Sequence, residues 1–150
     1  MSNAGMDADI YDAFIEQLQR YVRERLIPAE DRLEELGRVP DDILAEMRDM
    51  GLFGVTMPEE YGGAGMNISQ YVGFIRELAY AAPAYRSIVS INIGMVCKSI
   101  LGFGTQQQKD HWLPKLATGS IAAFGLTEPD SGSDSAAMKT RAVPSGNGYV

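Results

Sequence analysis

The segment Thr127–Asp134, with the sequence TEPDSGSD, concentrates hydroxyl groups, small residues and acidic side chains in a short stretch of chain. Gly132 and its neighbouring serines leave backbone N–H groups uncovered, so the segment can approach an anion or a heterocycle closely. The same composition is also typical of an ordinary polar connection between two strands. The residue types alone leave both interpretations open.

Arg86, followed by Ser87, lies at the start of the most apolar stretch of the chain. A guanidinium buried there without a partner would be strongly unfavourable. One hypothesis is that Arg86 binds a substrate carboxylate through two parallel hydrogen bonds. The alternatives are that its side chain extends to solvent, or that it pairs with an acid such as Glu77.

Cys97 is the only cysteine and His111 the only histidine. An internal disulfide and a multi-histidine metal site within the chain are therefore excluded, and we predict no metal site. Cys97 has no adjacent base and lies in an apolar helix, so we interpret it as a core residue rather than a nucleophile. His111, beside Trp112, is predicted to be solvated on a short surface helix.

The chain carries 20 acidic and 13 basic residues, for a net charge of −7. No lysine or arginine cluster offers the basic face that nucleic acid or an anionic membrane surface would require. No uninterrupted apolar run approaches the roughly 18 residues of a membrane span, and the amino terminus does not resemble a signal peptide. These features favour a cytoplasmic enzyme without membrane insertion.

Apolar residues at helical spacing predict that the first part of the chain is all-α. One helix covers residues 7–27, is interrupted at Pro28 and resumes as far as Gly37. Another begins at Pro40 and stops at Gly51.

Residues 52–66 are predicted to form a loop. Two capping boxes then predict helix starts, one formed by Asn67 with Gln70 and the other by Thr105 with Gln108. A further helix begins at Pro83, and its stretch Ile88–Leu101 is apolar nearly all round, which predicts a central, buried helix. Pro114 is expected to break the last helix, leaving Leu113–Thr118 as a separate turn.

The pattern changes after Gly119. Ile121–Leu126 predicts a strand, Ala137–Val143 alternates weakly, and Tyr149–Val150 would begin a third strand after a Gly146-Asn147 hairpin turn. We therefore expect a multi-domain α+β protein, with an α-helical domain followed by the start of a β-barrel-like domain. The predicted divisions are residues 1–5 as an expression remnant, 6–119 as the helical domain, and 120–150 as the opening of a truncated β domain.

The order of these motifs resembles the acyl-CoA dehydrogenase family. The segment FGLTEPDSGSD at Phe124–Asp134, preceded by Leu113–Gly119, is similar to that family's signature. The segment PEEYGG at Pro58–Gly63 and the GT dipeptide at Gly104-Thr105 are similar to landmarks of its helical domain. The resemblance extends from about Asp9 over nearly the whole chain.

The resemblance implies an amino-terminal α domain, a middle β domain and a carboxy-terminal helical bundle, of which only the first and the start of the second are expected here. It implies an FAD enzyme in which a carboxylate removes the α-proton of an acyl-CoA thioester and the β-hydrogen leaves as hydride to the flavin. The family's base lies in the carboxy-terminal domain, so we expect it beyond Val150 and no catalytic residue in this chain. Glu128 is instead expected to organise the turn, and the isolated chain to be inactive.

By the same resemblance, the Leu126 backbone and the Thr127 hydroxyl face the flavin ring, and Phe124 and Gly125 line its bed. Gly132 and Ser133 are expected near the pyrophosphate, with Ser133 also reaching the acyl-CoA. The implied partners are the acyl-CoA substrate, electron-transfer flavoprotein as electron acceptor, and further copies of the chain in a dimer or tetramer. The implied pathways are fatty acid or amino acid catabolism.

The Tyr85-Arg86-Ser87 sequence and the Ser-Gly-Ser-Asp form of the turn look most like the glutaryl-CoA dehydrogenase branch. In that branch the matching arginine and serine hold the distal carboxylate of the substrate, a role that Arg86 and Ser87 would take here. Decarboxylating members usually carry a glutamate seven residues before this arginine, where this chain has Ala79. Both glutaryl-CoA-type and simple short-chain substrates therefore stay open.

Three other hypotheses remain at this point. One is an acyl-CoA oxidase on the same scaffold, and a second is a non-catalytic relative that keeps the fold as an interaction module. The third is a helical adaptor with no ligand.

Overall fold

The computed structural model describes residues 5–150, and these form a helical domain followed by an extended region that ends in a small antiparallel sheet. The α-helices are α1 (Ala8–Tyr21), α2 (Glu30–Leu36), α3 (Asp41–Asp49), α4 (Ile68–Leu78), α5 (Pro83–Ile91), α6 (Lys98–Phe103) and α7 (Gln106–Ala117). The strands are β1 (Pro144–Ser145) and β2 (Gly148–Tyr149). The prediction of a helical domain followed by the beginning of a β region is confirmed.

The first two helices are joined by helical turns without an intervening loop. A π-helical turn, Val22–Leu26, and a 3-10 turn, Ile27–Ala29, connect α1 to α2. Pro28 lies at the start of that 3-10 turn, where a missing N–H is tolerated. The predicted stop is confirmed, because Gly37 caps α2 in the left-handed conformation, with φ of 64°.

Two hydrophobic clusters form the core. The larger one includes the apolar faces of α1, α3, α4 and α5, with residues such as Leu18, Ile43, Met47, Phe53, Phe74, Leu78, Tyr85 and Val89. The smaller one joins the loop after α3 to α7 through Met57, Tyr61, Cys97, Leu113, Leu116 and Ala117. The loop 52–66 thus has no long helix, as predicted, but it contributes buried side chains to both clusters.

The helix from Pro83 to Phe103 is continuous and consists of α5, a π-helical segment at Asn92–Cys97, and α6. The prediction that Ile88–Leu101 is a central, buried helix is wrong in its second part, because only one face is buried. Tyr85, Val89, Ile93 and Cys97 lie in the core, whereas the opposite side of the helix is exposed. The helix is long and apolar enough to cross a membrane by length and composition alone, but its buried face belongs to the core of the helical domain.

The predicted break at Pro114 is also wrong, because α7 runs through Pro114 to Ala117. Pro114 removes one backbone hydrogen bond, at a cost of about 3 kcal/mol in a typical helix interior. The carbonyl that loses this donor belongs to Asp110, an exposed residue whose backbone can be hydrated. The Thr105–Gln108 capping box and the burial of Leu113 and Leu116 offset the loss.

The β region is less regular than the sequence suggests. Among residues 5–150, Ile121–Leu126 forms no strand ladder, and Ser135–Ala137 is a 3-10 turn. The ladder in this part of the chain is the hairpin that pairs Pro144 with Tyr149 and Ser145 with Gly148, and reciprocal backbone hydrogen bonds between Val143 and Val150, at 2.8 and 2.9 Å, extend it. A strand requires a partner as well as an alternating pattern, and the described residues supply one only for the hairpin.

The loop after α3 contains a glycine whose replacement has a sharp steric consequence. A Cβ on Gly63 would overlap the Met57 carbonyl oxygen, which accepts a hydrogen bond from the Gly65 N–H at 2.9 Å. We expect Gly63→Ala to lower the free energy of unfolding by about 1–3 kcal/mol, because backbone atoms must shift.

Gly102→Ala is the matched control, since a Cβ at this exposed helical position meets no atom. It is expected to raise stability by about 0.5–1 kcal/mol. Chemical denaturation of both variants measures the difference. Equal stability of the two variants would contradict the proposed role of Gly63.

Candidate functional site

The chain enters the candidate site through a fixed junction at the end of α7. Gly119 has φ of 95°, in the left-handed region that favours glycine. Its carbonyl accepts a hydrogen bond from Arg48 Nε at 3.0 Å, and the Ser120 N–H donates to the Lys115 carbonyl at 2.9 Å. These contacts set the direction in which the extended segment 120–127 leaves the helical domain.

The turn that follows is closed by its own backbone. The Glu128 N–H donates to the Ser131 carbonyl at 2.9 Å, and the Ser131 N–H donates back to the Glu128 carbonyl at 3.2 Å. Ser131 is buried, and its hydroxyl donates to the Asp134 carbonyl at 2.8 Å. Pro129, at the second position of this four-residue turn, restricts the backbone further.

Both oxygens of the Glu128 carboxylate form hydrogen bonds that stabilise the turn. It accepts hydrogen bonds from the backbone N–H groups of Lys139 at 2.8 Å and Thr140 at 2.9 Å. These donors lower the pKa of Glu128 below its ordinary value, so the group is a poor proton acceptor. These contacts agree with the prediction that Glu128 organises the turn, and the location of the base beyond Val150 stays a prediction.

The residues predicted to bind the cofactor are exposed: Phe124, Gly125, Leu126, Thr127, Gly132 and Ser133. Within the described part of the chain, none of these six forms a hydrogen bond, so their backbone N–H groups and the Thr127 and Ser133 hydroxyls are available to a ligand. A Cβ on Gly125 or Gly132 would meet no atom, which leaves the backbone open to close approach. These groups could donate hydrogen bonds to a ligand that carries acceptor atoms.

Arg86 and Ser87 lie together on α5, and both are half-buried. Arg86 Nη2 donates to Ser87 Oγ at 3.4 Å. No acidic side chain in the described residues pairs with Arg86, and the predicted alternative partner, Glu77, instead binds Arg76 at 3.1 Å. Burial raises the pKa of Tyr71, and the positive charge of Arg86 lowers it again in part. Arg86 is therefore available to an anionic ligand, although no hydrogen bond in the described residues joins it to the turn.

Cys97 lies in the core and His111 lies on the surface, as predicted. Cys97 is buried, and desolvation raises the pKa of its thiol to about 11, which suppresses the reactive thiolate. His111 is exposed, 2.8 Å from Lys115 Nζ and in edge contact with Trp112.

Two features of the site were missed at the level of sequence. One is an open apolar groove of about 500 Å³ between α6, α7 and the start of the extended segment, lined by residues such as Ile100, Phe103, Trp112 and Ile121. The other is Asn92, a fully buried amide in the middle of the long helix. The signal for Asn92 was an amide side chain within a largely apolar stretch, which the helical spacing of apolar residues did not single out.

Comparisons with known proteins agree with the motif order. A family model described as "Acyl-CoA dehydrogenase, N-terminal domain" matches residues 9–120. An acyl-CoA dehydrogenase of Bacillus subtilis is 34% identical over 131 residues, which cover 87% of this chain and 35% of that protein. The chain thus spans about a third of the length of this relative.

Two solved structures share the fold. The glutaryl-CoA dehydrogenase of Mycobacterium smegmatis in complex with FADH2 has a TM-score of 0.81 and 35% identity, covering 94% of this chain and 36% of that one. A chain from the structure of the electron transferring flavoprotein of Acidaminococcus fermentans has a TM-score of 0.85 and 28% identity, covering 98% of this chain and 39% of that one.

The hydrogen bonds of Glu128 give the turn a defined pH dependence. The pKa of Glu128 is lowered in the folded state, so its contribution is complete above the pKa of the unfolded chain and is lost as the pH falls through the folded pKa. We expect the amide proton shifts of Lys139 and Thr140 to titrate together in this acidic window, and Glu128→Gln to abolish the titration.

Asp130→Asn provides the control. Among the described residues, Asp130 pairs only with Lys139 Nζ, at 3.0 Å, and both side chains are largely exposed. The Lys139 and Thr140 amides should titrate almost as before in this variant. If Asp130→Asn abolished the titration and Glu128→Gln did not, the assignment to Glu128 would be wrong.

Proposed function

Because the chain belongs to the acyl-CoA dehydrogenase family and carries its N-terminal domain, we propose that the complete protein oxidises an acyl-CoA thioester to its enoyl-CoA with FAD. The observation that carries this proposal is the set of unpaired donors at residues 124–127, displayed beside a turn that is held rigid from within. We place the domain boundary after Gly119, with the helical domain before it and the first part of the β domain after it.

The residues of the turn would hold the cofactor by direct contact. Bound FAD would supply the acceptor for the two electrons that leave the substrate's Cα–Cβ bond. The Leu126 N–H and the Thr127 hydroxyl would donate to the acceptor edge of the ring, where negative charge develops on reduction. Phe124 and Gly125 would line the face of the ring, and Gly132 and Ser133 would approach the pyrophosphate.

The proposal assigns no proton-abstracting base to residues 5–150. Glu128 is the acidic residue nearest the proposed ring site in sequence, and its two oxygens already accept backbone hydrogen bonds. Since the chain spans about a third of its Bacillus relative, we propose that the base is supplied from sequence beyond Val150. The 150 residues alone would then bind ligand poorly and catalyse nothing.

Arg86 and Ser87 support a substrate with a second carboxylate. Arg86 is half-buried and has no acidic partner in the described residues, so a ligand carboxylate would satisfy a charge that the fold leaves unpaired. Ser87 would add one donor to the same oxygen pair, and Ser133 would contact the acyl-CoA from the turn. A short-chain substrate without the distal carboxylate is the alternative, and Ala79 argues against a decarboxylation step.

We propose electron-transfer flavoprotein as the electron acceptor. The support is the similarity to a chain from the structure of the electron transferring flavoprotein of Acidaminococcus fermentans. We also propose that the complete protein is a cytoplasmic homo-oligomer, either a dimer or a tetramer. It would act in fatty acid or amino acid catabolism.

The cofactor assignment is tested with the full-length protein and FAD. We expect the protein to acquire flavin absorbance, and anaerobic addition of an acyl-CoA to bleach it. Thr127→Ala should slow this bleaching roughly tenfold or more, because one donor to the developing charge is lost. Stopped-flow absorbance gives the rate.

Thr118→Ala is the matched control, because within residues 5–150 the Thr118 hydroxyl bonds only to carbonyls of α7, at 3.1 and 3.0 Å. It should leave the bleaching rate unchanged. A protein that binds no FAD would contradict the proposal outright, and one that binds FAD but is never bleached would be a non-catalytic relative.

The carboxylate clamp is tested by a comparison of substrates. Arg86→Ala should lower kcat/KM for glutaryl-CoA about tenfold to a hundredfold more than for butyryl-CoA, because a charge-assisted hydrogen-bond pair is worth about 1.5–3 kcal/mol. Arg20→Ala, an exposed position on α1, controls for the loss of a positive charge. Equal losses on both substrates would eliminate the clamp.

A further inference from the structure

Asn92 is the first residue of the π-helical segment that joins α5 to α6. Its side chain is completely buried, in a helix whose other core residues are apolar or aromatic, apart from the Tyr85 hydroxyl. A buried amide is unfavourable unless both its donor and its acceptor find partners. A π-helical turn adds a residue to the helical register and is often associated with a functional site.

Both halves of the Asn92 side chain are used, and both reach outside the helix. Its Oδ1 accepts a hydrogen bond from the Ala122 N–H at 2.9 Å. Its Nδ2 donates to the Leu116 carbonyl, in the last turn of α7, at 3.5 Å. The shorter bond holds the extended segment, while the longer one orients the amide so that its oxygen faces Ala122.

Ala122 is the last fixed point before the proposed flavin contacts. In the structure as described, residues 123–127 make no hydrogen bond, and the next backbone bonds are those of Glu128. Upstream, Gly119 and Ser120 are held by Arg48 and by α7. An extended chain advances about 3.3 Å per residue, so Phe124 lies only about 7 Å along the chain from the bonded amide of Ala122.

We infer that Asn92 is a positioning residue for the cofactor: its carboxamide fixes Ala122 and thereby sets the place of the donors at Leu126 and Thr127. The inference rests on the proposed function. It assigns Asn92 no contact with FAD or with substrate, because its side chain is occupied by the protein backbone on both sides. A displacement of about 1 Å at reacting groups can lower a rate a hundredfold, so an anchor at Ala122, four residues before Leu126, matters to catalysis.

The first test needs no cofactor. In the full-length protein without flavin, hydrogen exchange should show the Ala122 amide protected and the amides of residues 123–127 unprotected. Asn92→Leu, which keeps the size of the side chain but removes the acceptor, should increase exchange at Ala122 about tenfold or more. If Asn92→Leu does not fold, Asn92→Ala replaces it.

Asn92→Asp separates the roles of the two halves of the amide, since it retains an oxygen opposite Ala122. It should keep more protection at Ala122 than Asn92→Leu does. Tyr21→Phe is the matched control, because it also removes one buried bond from a side chain to the backbone, from the Tyr21 hydroxyl to the Ile43 carbonyl at 3.3 Å. Tyr21→Phe should leave exchange at Ala122 unchanged.

The second test uses the FAD-loaded protein. Asn92→Leu should lower the rate of flavin reduction by acyl-CoA about tenfold to a hundredfold and shift the flavin absorbance spectrum, with a smaller change in KM. Tyr21→Phe should lower stability without either effect. Unchanged exchange at Ala122, or an unchanged flavin rate and spectrum despite faster exchange, would overturn the inference.

Failure of the proposed function has a different signature. A native protein that takes up no FAD would remove the cofactor assignment and the positioning role together. Exchange at Ala122 in the flavin-free protein would still show whether Asn92 anchors the extended segment.

Discussion

The burial of one face of the helix from Pro83 to Phe103 is the constraint on which the rest of the domain depends. Tyr85, Val89 and Ile93 lie in the larger hydrophobic cluster, and Cys97 lies in the smaller one. Each fully buried apolar side chain of this size contributes about 1.5–3 kcal/mol. The helix therefore ties α1, α3 and α4 on one side to α7 on the other. Asn92 lies beside Ile93 of the larger cluster, and its amide bonds to Leu116 of α7 and to Ala122.

The division of labour in the site follows from which polar groups the fold has already satisfied. Glu128 and Ser131 use their hydrogen-bonding capacity inside the turn, so they shape it and have little to offer a ligand. Thr127 and Ser133, on either side of them, keep their hydroxyls unpaired in the described structure. Arg86, on α5, is likewise available to a ligand, because no acidic side chain among the described residues pairs with its charge. The groups available for recognition are those that folding did not use.

Local signals were reliable where a single interaction decides the outcome. The capping pairs at Asn67 and Thr105 and the helix stop at Gly37 depend on groups within one turn of chain, and each appears as predicted. Pro114 misled because the burial of Leu113 and Leu116, a tertiary effect, outweighs a local penalty.

The strand prediction for Ile121–Leu126 failed for a related reason, since a strand needs a partner that a pattern cannot supply. The order of motifs gave the family, and the hydrogen bonds of Glu128 agree with its predicted role in the turn. The anchoring contacts of Asn92 lie 24 and 30 residues away in sequence, at Leu116 and Ala122, and no periodicity encodes such distances.

The closed turn at Glu128–Ser131 has a consequence for the entropy of binding. Reciprocal hydrogen bonds, Pro129 and the Glu128 carboxylate already order its backbone. A ligand that binds there therefore causes little further loss of conformational entropy in the turn, and its affinity is reduced little by that loss. Residues 123–127 make no hydrogen bond in the described structure, so any freedom left to them between the anchor at Ala122 and the turn is lost when a ligand binds, at up to about 1–2 kcal/mol per residue. The affinity of the site thus depends less on the closed turn itself than on how much freedom the five residues before that turn retain.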